Sequence, residues 1–294
     1  MVAGFVFIRQ YCQLYLIHSK KAHVVENSHP NSRPLSAIFP VTSQYVQADL
    51  PGMAAEKLPD FLASHPELIE SAPYLADLAR LEFSAYLLQK QSLPLPETVP
   101  GITINPSLEL FPVLWSGLPG MMAGVSQSPQ RQETFVGIYR LPGSEAIEVE
   151  ELSAHDLLAL KLVSEKIDSA TAAVEGGVTR GTIDDIIFAA IDRGLLLAPP
   201  SKIVRESGFP RGIVVDPESF MAPTFTLQWH ITQTCDLHCR HCYDRSDRRT
   251  LPLNEAIQIL DDLYDFCRNH HVFAQVTFTG GNPLMYPHFN ELYR

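Results

Sequence analysis

Apolar positions recur at three- and four-residue steps between Glu56 and Gln91, at Leu58, Phe61 and Leu62 and again at Leu75, Leu78, Leu81 and Leu88. That spacing draws an apolar stripe along a helical face, and His65-Pro66 and Pro73 interrupt it, so two short amphipathic helices are predicted. Leu93 to Pro106 is rich in proline and reads as a connection, because each ring removes a backbone donor and restricts the residue before it. Thr134 to Tyr139 and Ala146 to Val149 are β-prone runs on either side of Leu141-Pro142-Gly143-Ser144, a pattern that predicts an antiparallel hairpin. Behind Ser153, a capping residue type, the positions Leu157, Leu158, Leu160, Leu162, Val163 and Ile167 predict a helix over 152–167. Further helices are expected over 170–175 and 182–192, with Gly194 as the stop and Leu195-Leu196-Leu197 as a returning strand.

Residues 206–224 contain Gly208, Pro210, Gly212, Pro217 and Pro223 and read as a linker. Beyond it Phe225, Leu227, Trp229 and Ile231 alternate with Thr226, Gln228, His230 and Thr232, and a period of two marks a strand. Asn254 is placed to cap a helix with the face Ile257, Leu260, Leu263, Tyr264 and Cys267, and Val272 to Thr279 is a second strand ending in Gly280-Gly281-Asn282-Pro283. Strand, loop, helix and strand form a βαβ unit, which implies parallel pairing and a ligand site at the carboxyl ends of the strands. The expected organisation is an unassigned segment 1–40, a helical accessory region 41–132, a winged-helix-like module 133–205, a linker 206–224 and the βαβ segment 225–294.

The composition, 46% hydrophobic and 19% charged over 294 residues, excludes collagen, coiled coil and wholesale disorder. Lys and Arg number 22 against 33 Asp and Glu, and a net charge of −11 repels phosphate backbones and anionic lipid. Within 152–198 the basic Lys161, Lys166, Arg180 and Arg193 face seven acidic residues, so nucleic acid is a poor partner even for a winged-helix outline. The apolar run Val2 to Ile8 is broken by Arg9 and is far shorter than the roughly 20 residues of a membrane span, and no secretory signal pattern follows it. No membrane partner is expected.

Of five cysteines, Cys235, Cys239 and Cys242 crowd into one short stretch, which is a ligand pattern and points to a reducing, cytoplasmic setting. Three soft thiolates at C-x3-C-x2-C suit a [4Fe-4S] cube with one iron left for an external ligand. A structural zinc knuckle is the other reading, with His238 or His241 as fourth ligand of a non-catalytic peptide-binding adaptor. Cys267, with His270 and His271, mimics a metal site, yet its place on an apolar helical face reads as a buried structural thiol. His230 reads as an interior histidine, and His238 carries no assigned role.

The loop Cys235 to Cys242 resembles the C-x3-C-x-Φ-C loop of the radical S-adenosylmethionine (SAM) superfamily, with His241 at the ring position before the third cysteine. Thr279-Gly280-Gly281-Asn282-Pro283 is similar to that family's Gly-Gly-Glu-Pro strand end, with Asn282 where Glu is usual. The resemblance implies a partial (β/α)6 barrel, of which this chain carries only the beginning. It implies Cys235, Cys239 and Cys242 as ligands of a [4Fe-4S] cluster, His241 beside the adenine, and Gly280, Gly281 and Asn282 around SAM. It also implies an electron donor of flavodoxin or ferredoxin type and reductive cleavage of SAM to a 5′-deoxyadenosyl radical. Arg240 is placed to offset the negative charge of the thiolate-bound cluster. Residues 152–198 resemble the small domains, similar to the pyrroloquinoline-quinone peptide chaperone, that hold the leaders of ribosomally made peptides by adding a strand. Pro73 to Phe83 resembles the helical end of a family of DNA-binding or peptide-maturation partner proteins found with metallopeptide gene clusters. The front module together with the radical SAM start looks most like the thio(seleno)oxazole-modification radical SAM maturases, with Leu62 to Pro66 and Asp156 to Lys161 adding local similarity, and this implies a precursor peptide as substrate.

Overall fold

The computed structural model describes residues 34–46, 53–91, 94–125, 128–206, 208–210, 212–213, 217–242 and 249–294. The chain is mixed α/β and divides into two units, one of Met1–Glu97 and Ile102–Leu197, the other of Thr98–Gly101 and Ala198–Arg294. Among the described residues the strands form small sheets, none of them closed into a barrel. No described helix is long and apolar enough to cross a membrane.

The first unit is built on helices α1 (Thr42–Tyr45), α2 (Leu58–Ser64) and α3 (Leu75–Lys90), the last two being the pair expected from the apolar stripe. Leu75, Leu78, Leu81 and Leu88 are buried together with Leu58 and Leu62. Ile38 and Phe39 lie in the same core, and the Glu82 carboxylate accepts from the backbone N–H of Val41 at 2.6 Å and of Thr42 at 3.1 Å. The packed unit therefore includes residues 34–40, which the sequence pattern leaves unassigned; residues 1–33 lie outside those described.

Strands β1 (Thr103–Ile104) and β2 (Glu109–Ser116) follow, then α4 (Leu118–Met122) and the hairpin β3 (Gln130–Arg140) and β4 (Ile147–Leu152). The sheet order is β2-β3-β4, all antiparallel, so the division expected between 132 and 133 falls inside one sheet. β2 contains Pro112, opposite Phe135, and a ring without a donor is tolerated there because β2 is an edge strand. The open side of that edge is used by side chains: Arg80 donates to the Pro112 carbonyl at 2.7 Å, and the Leu114 N–H donates to Asp77 at 3.0 Å. Asp77 and Arg80 are themselves ion-paired at 3.0 Å.

Helices α5 (Ala154–Glu165), α6 (Ser169–Gly176) and α7 (Arg180–Asp192) come next, each started by a side chain that satisfies an orphan N–H. At α5 Ser153 and Asp156 cap each other reciprocally. Gly194, at φ 81°, turns the chain into β5 (Leu196–Leu197), which pairs with β1 instead of joining the hairpin. Buried Asn105 fixes that arrangement by donating to the carbonyls of Arg140 at 2.9 Å and Gly194 at 2.8 Å.

In the second unit β6 (Thr224–Thr232) and β7 (Phe273–Gly280) pair in parallel, with α8 (Leu253–His270) between them in sequence and α9 (Phe289–Tyr293) last. Residues 203–205 pair with 220–222, the Arg205 N–H on the Phe220 carbonyl and the Ala222 N–H on the Ile203 carbonyl, both at 2.9 Å, so the described ends of the expected linker are bridged. Helix α8 opens at Leu253 with Pro252 as its cap, which leaves Asn254 in the first turn and not at the expected capping position. Leu263 and Cys267 of α8 pack against Phe225, Leu227 and Val276, the apolar face that the alternating pattern calls for.

Candidate functional site

The cysteine loop leaves the carboxyl end of β6, beside the carboxyl end of β7. Cys235, Cys239 and Cys242 are exposed thiols, and the Cys242 N–H donates to the Cys239 carbonyl at 3.2 Å, closing a turn between the second and third. His238, Arg240 and His241 are exposed on the same turn. Among the described residues no three His, Cys, Asp or Glu side chains are already gathered around one point. The three thiols come from a single loop.

A backbone seam joins this loop to the end of β7. The Gly281 N–H donates to the Thr232 carbonyl and the Asn282 N–H to the Thr234 carbonyl, both at 2.8 Å. A Cβ on Gly280 would overlap the Thr232 carbonyl oxygen, and one on Gly281 would overlap that of Thr234, with Gln233 O only 2.7 Å away. Gly280 also has φ 120°, a conformation open to glycine and not to L side chains. Both glycines are therefore dictated by the close approach of two chain segments, and the same lack of side chains leaves a bare backbone cradle at the strand end.

Asn282 uses both halves of its amide within the chain. Its Nδ2 donates to Asp236 Oδ1 at 3.0 Å, and its Oδ1 accepts the Leu284 N–H at 3.1 Å. The bond from Asn282 holds the Asp236 carboxyl below the ordinary carboxylate range. Farther on, the buried Tyr286 donates its hydroxyl to the Leu251 carbonyl at 2.9 Å, just beyond the loop. Asp236 and Tyr286 belong to this site although no motif pointed to them; an acid beside the first thiol was the only visible signal, and a lone acid is too common to carry weight.

The remaining candidates fall elsewhere. Cys267 is buried, and burial pushes its thiol pKa up, as expected of a structural cysteine. His270 Nδ1 is paired with the Phe266 carbonyl of its own helix at 2.8 Å, and His271 Nδ1 with the Pro200 carbonyl at 3.2 Å; among the described residues this trio is not gathered as a metal-binding group. His230 stands opposite Thr279 in the parallel register, on the polar face of the two strands with Gln228 and Thr277.

The donor set suits a soft metal centre: three thiols on one loop, beside a strand end from which side chains are excluded. Comparison with protein-family models gives no match, and comparison with curated proteins gives none either.

Proposed function

We propose that this chain contains the cofactor-binding βαβ segment of a radical SAM enzyme, similar to the thio(seleno)oxazole-modification maturases, preceded by a unit that holds a precursor peptide. The observation that carries this reading is the seam between the cysteine loop and Gly280-Gly281. Two sequence motifs separated by a whole helix meet at the carboxyl ends of two parallel strands, which is where a partial (β/α)6 barrel would place them.

Cys235, Cys239 and Cys242 would hold a [4Fe-4S] cluster, and the exposed His241 would lie toward the adenine. Gly280 and Gly281 offer backbone to the amino-acid end of SAM. One-electron cleavage of SAM, with the electron from a flavodoxin- or ferredoxin-like donor, is the chemistry such a cluster supplies when bound. The chain's own part is positional: β6 and β7 set the height of the loop, and α8 buries their apolar face away from it. In the first unit a strand added to the three-stranded sheet has β4 as its partner, since Asp77 and Arg80 occupy the middle of the β2 edge.

Anaerobic reconstitution with iron and sulfide tests the reading. The expected product is brown, holds about four irons per chain and changes its electron paramagnetic resonance spectrum on adding SAM. Colourless protein carrying stoichiometric zinc overturns it in favour of a zinc-stabilised peptide-binding adaptor.

A further inference from the structure

The strand-end motif carries an amide at 282, where the resembled family usually has a carboxylate, and the geometry supplies a reason. Asn282 Nδ2 faces a carboxylate oxygen of Asp236 at 3.0 Å, so position 282 must present a hydrogen-bond donor there. A Glu or Asp would set one anion against another. The partner is well chosen, since Asp236 directly follows the first thiol of the loop. The opposite half of the amide accepts from Leu284 N–H and so holds the side chain in place. Past the far end of the loop Leu251 is held from the same stretch of chain, by the Tyr286 hydroxyl at 2.9 Å.

We infer that Asn282 is a positioning residue that latches the cysteine loop to the end of β7 through Asp236, keeping Cys235 beside the strand ends before any metal arrives. Its use in assembling a cluster rests on the radical SAM reading, whereas the latch itself is a property of the metal-free chain. A side chain that merely capped the turn at Leu284 would work equally well as Asp, because a carboxylate accepts that N–H at least as readily. Latching needs the amide donor, and this difference separates the two roles.

The test is hydrogen–deuterium exchange of the metal-free full chain, read over residues 233–242 with α8 as the fold control, for wild type, N282D, D236N and N282D/D236N. N282D is expected to raise exchange over the loop by about threefold or more, leaving α8 unchanged. D236N is expected to exchange like wild type, because an amide carbonyl still accepts from Asn282. The double variant restores a donor–acceptor pair in the opposite sense and is expected to return to the wild-type rate. Wild-type exchange in N282D, no rescue in the double variant, or a rise that spreads through α8 would each overturn the latch. Iron retained after reconstitution is expected to follow the same order as protection. Wild type that takes up no iron removes the cluster reading and leaves the exchange result to decide the latch alone.

Discussion

The Tyr286 hydroxyl donates to the Leu251 carbonyl at 2.9 Å from a side chain that is buried against Ile231, Ala256 and Leu292. The ring and the hydroxyl therefore do separate jobs, one in the core of the second unit and one at the exit of the cysteine loop. Tyr286→Phe keeps the ring and is expected to cost about 1 kcal/mol in urea denaturation, with faster amide exchange confined to 249–252. Tyr286→Ala removes the ring as well and is expected to cost about 3 to 4 kcal/mol. Equal losses from the two substitutions would contradict this division.

Gly280→Ala and Gly281→Ala place a methyl group where it overlaps a backbone carbonyl oxygen, so the main chain itself must shift. Each is expected to destabilise the second unit by about 3 kcal/mol, seen as a lowered urea midpoint for tryptophan fluorescence from Trp229. Gly143→Ala is the contrast: its Cβ would meet nothing within 4 Å, although its φ of 68° still carries a conformational cost, and about 1 kcal/mol is expected.

Serine substitutions sort the thiols. Cys235→Ser, Cys239→Ser and Cys242→Ser are each expected to remove most reconstituted iron while leaving the unfolding free energy in urea within about 0.5 kcal/mol of wild type, because all three are exposed. Cys267→Ser buries a hydroxyl among apolar neighbours, so it is expected to lower stability by about 1 to 2 kcal/mol and to keep the iron. Iron analysis beside denaturation reads both at once.

Asp156 gives the first unit an acid limit. Burial alone would raise its pKa, but the hydrogen bonds from Ser153 and Arg193 outweigh that and hold it below the ordinary value. A carboxyl depressed in the folded state stabilises above its unfolded pKa, and the stabilisation disappears as pH falls through the folded value. Asp156→Asn is therefore expected to cost roughly 2 kcal/mol at pH 7 and progressively less below about pH 4. Glu82, raised by burial against the opposing hydrogen bonds from Thr42 and Val41, contributes with the opposite sign, and its part is lost as pH rises through its folded value. Chemical denaturation from pH 3 to 7 compares the variant with wild type; a constant difference would sink the assignment to Asp156.

Asp77→Ala strips the partner from the Leu114 N–H and from Arg80, and so uncovers the middle of the β2 edge. An open edge recruits another strand, so light scattering is expected to show concentration-dependent association that the wild type lacks at the same concentration.

Features carried by local chemistry were legible in the sequence. The turn at Leu141 to Ser144, the Ser153 cap, the three helices behind it and the alternation from Phe225 to Ile231 all appear where residue pattern puts them. β2 carries no expectation from the residue pattern; Pro112 lacks a ladder donor, and only the pairing with β3 reveals that this missing donor faces the unpaired side. Asn254 has the residue type of a cap, but the helix already begins at Leu253 with Pro252, in extended backbone, at the capping position. At the candidate site the thiols and glycines were visible as motifs. The Asn282 to Asp236 bond was not, since the two lie 46 positions apart and meet only through the parallel register of β6 and β7.

Residues 282–286 grip chain on both sides of the thiol turn, so the order of one and the occupancy of the other belong to a single thermodynamic cycle. Reciprocity would then apply under the proposed function: a small molecule that settled on the backbone at 280–281 and strengthened metal uptake by some factor would itself be bound more tightly, by that same factor, with the metal in place.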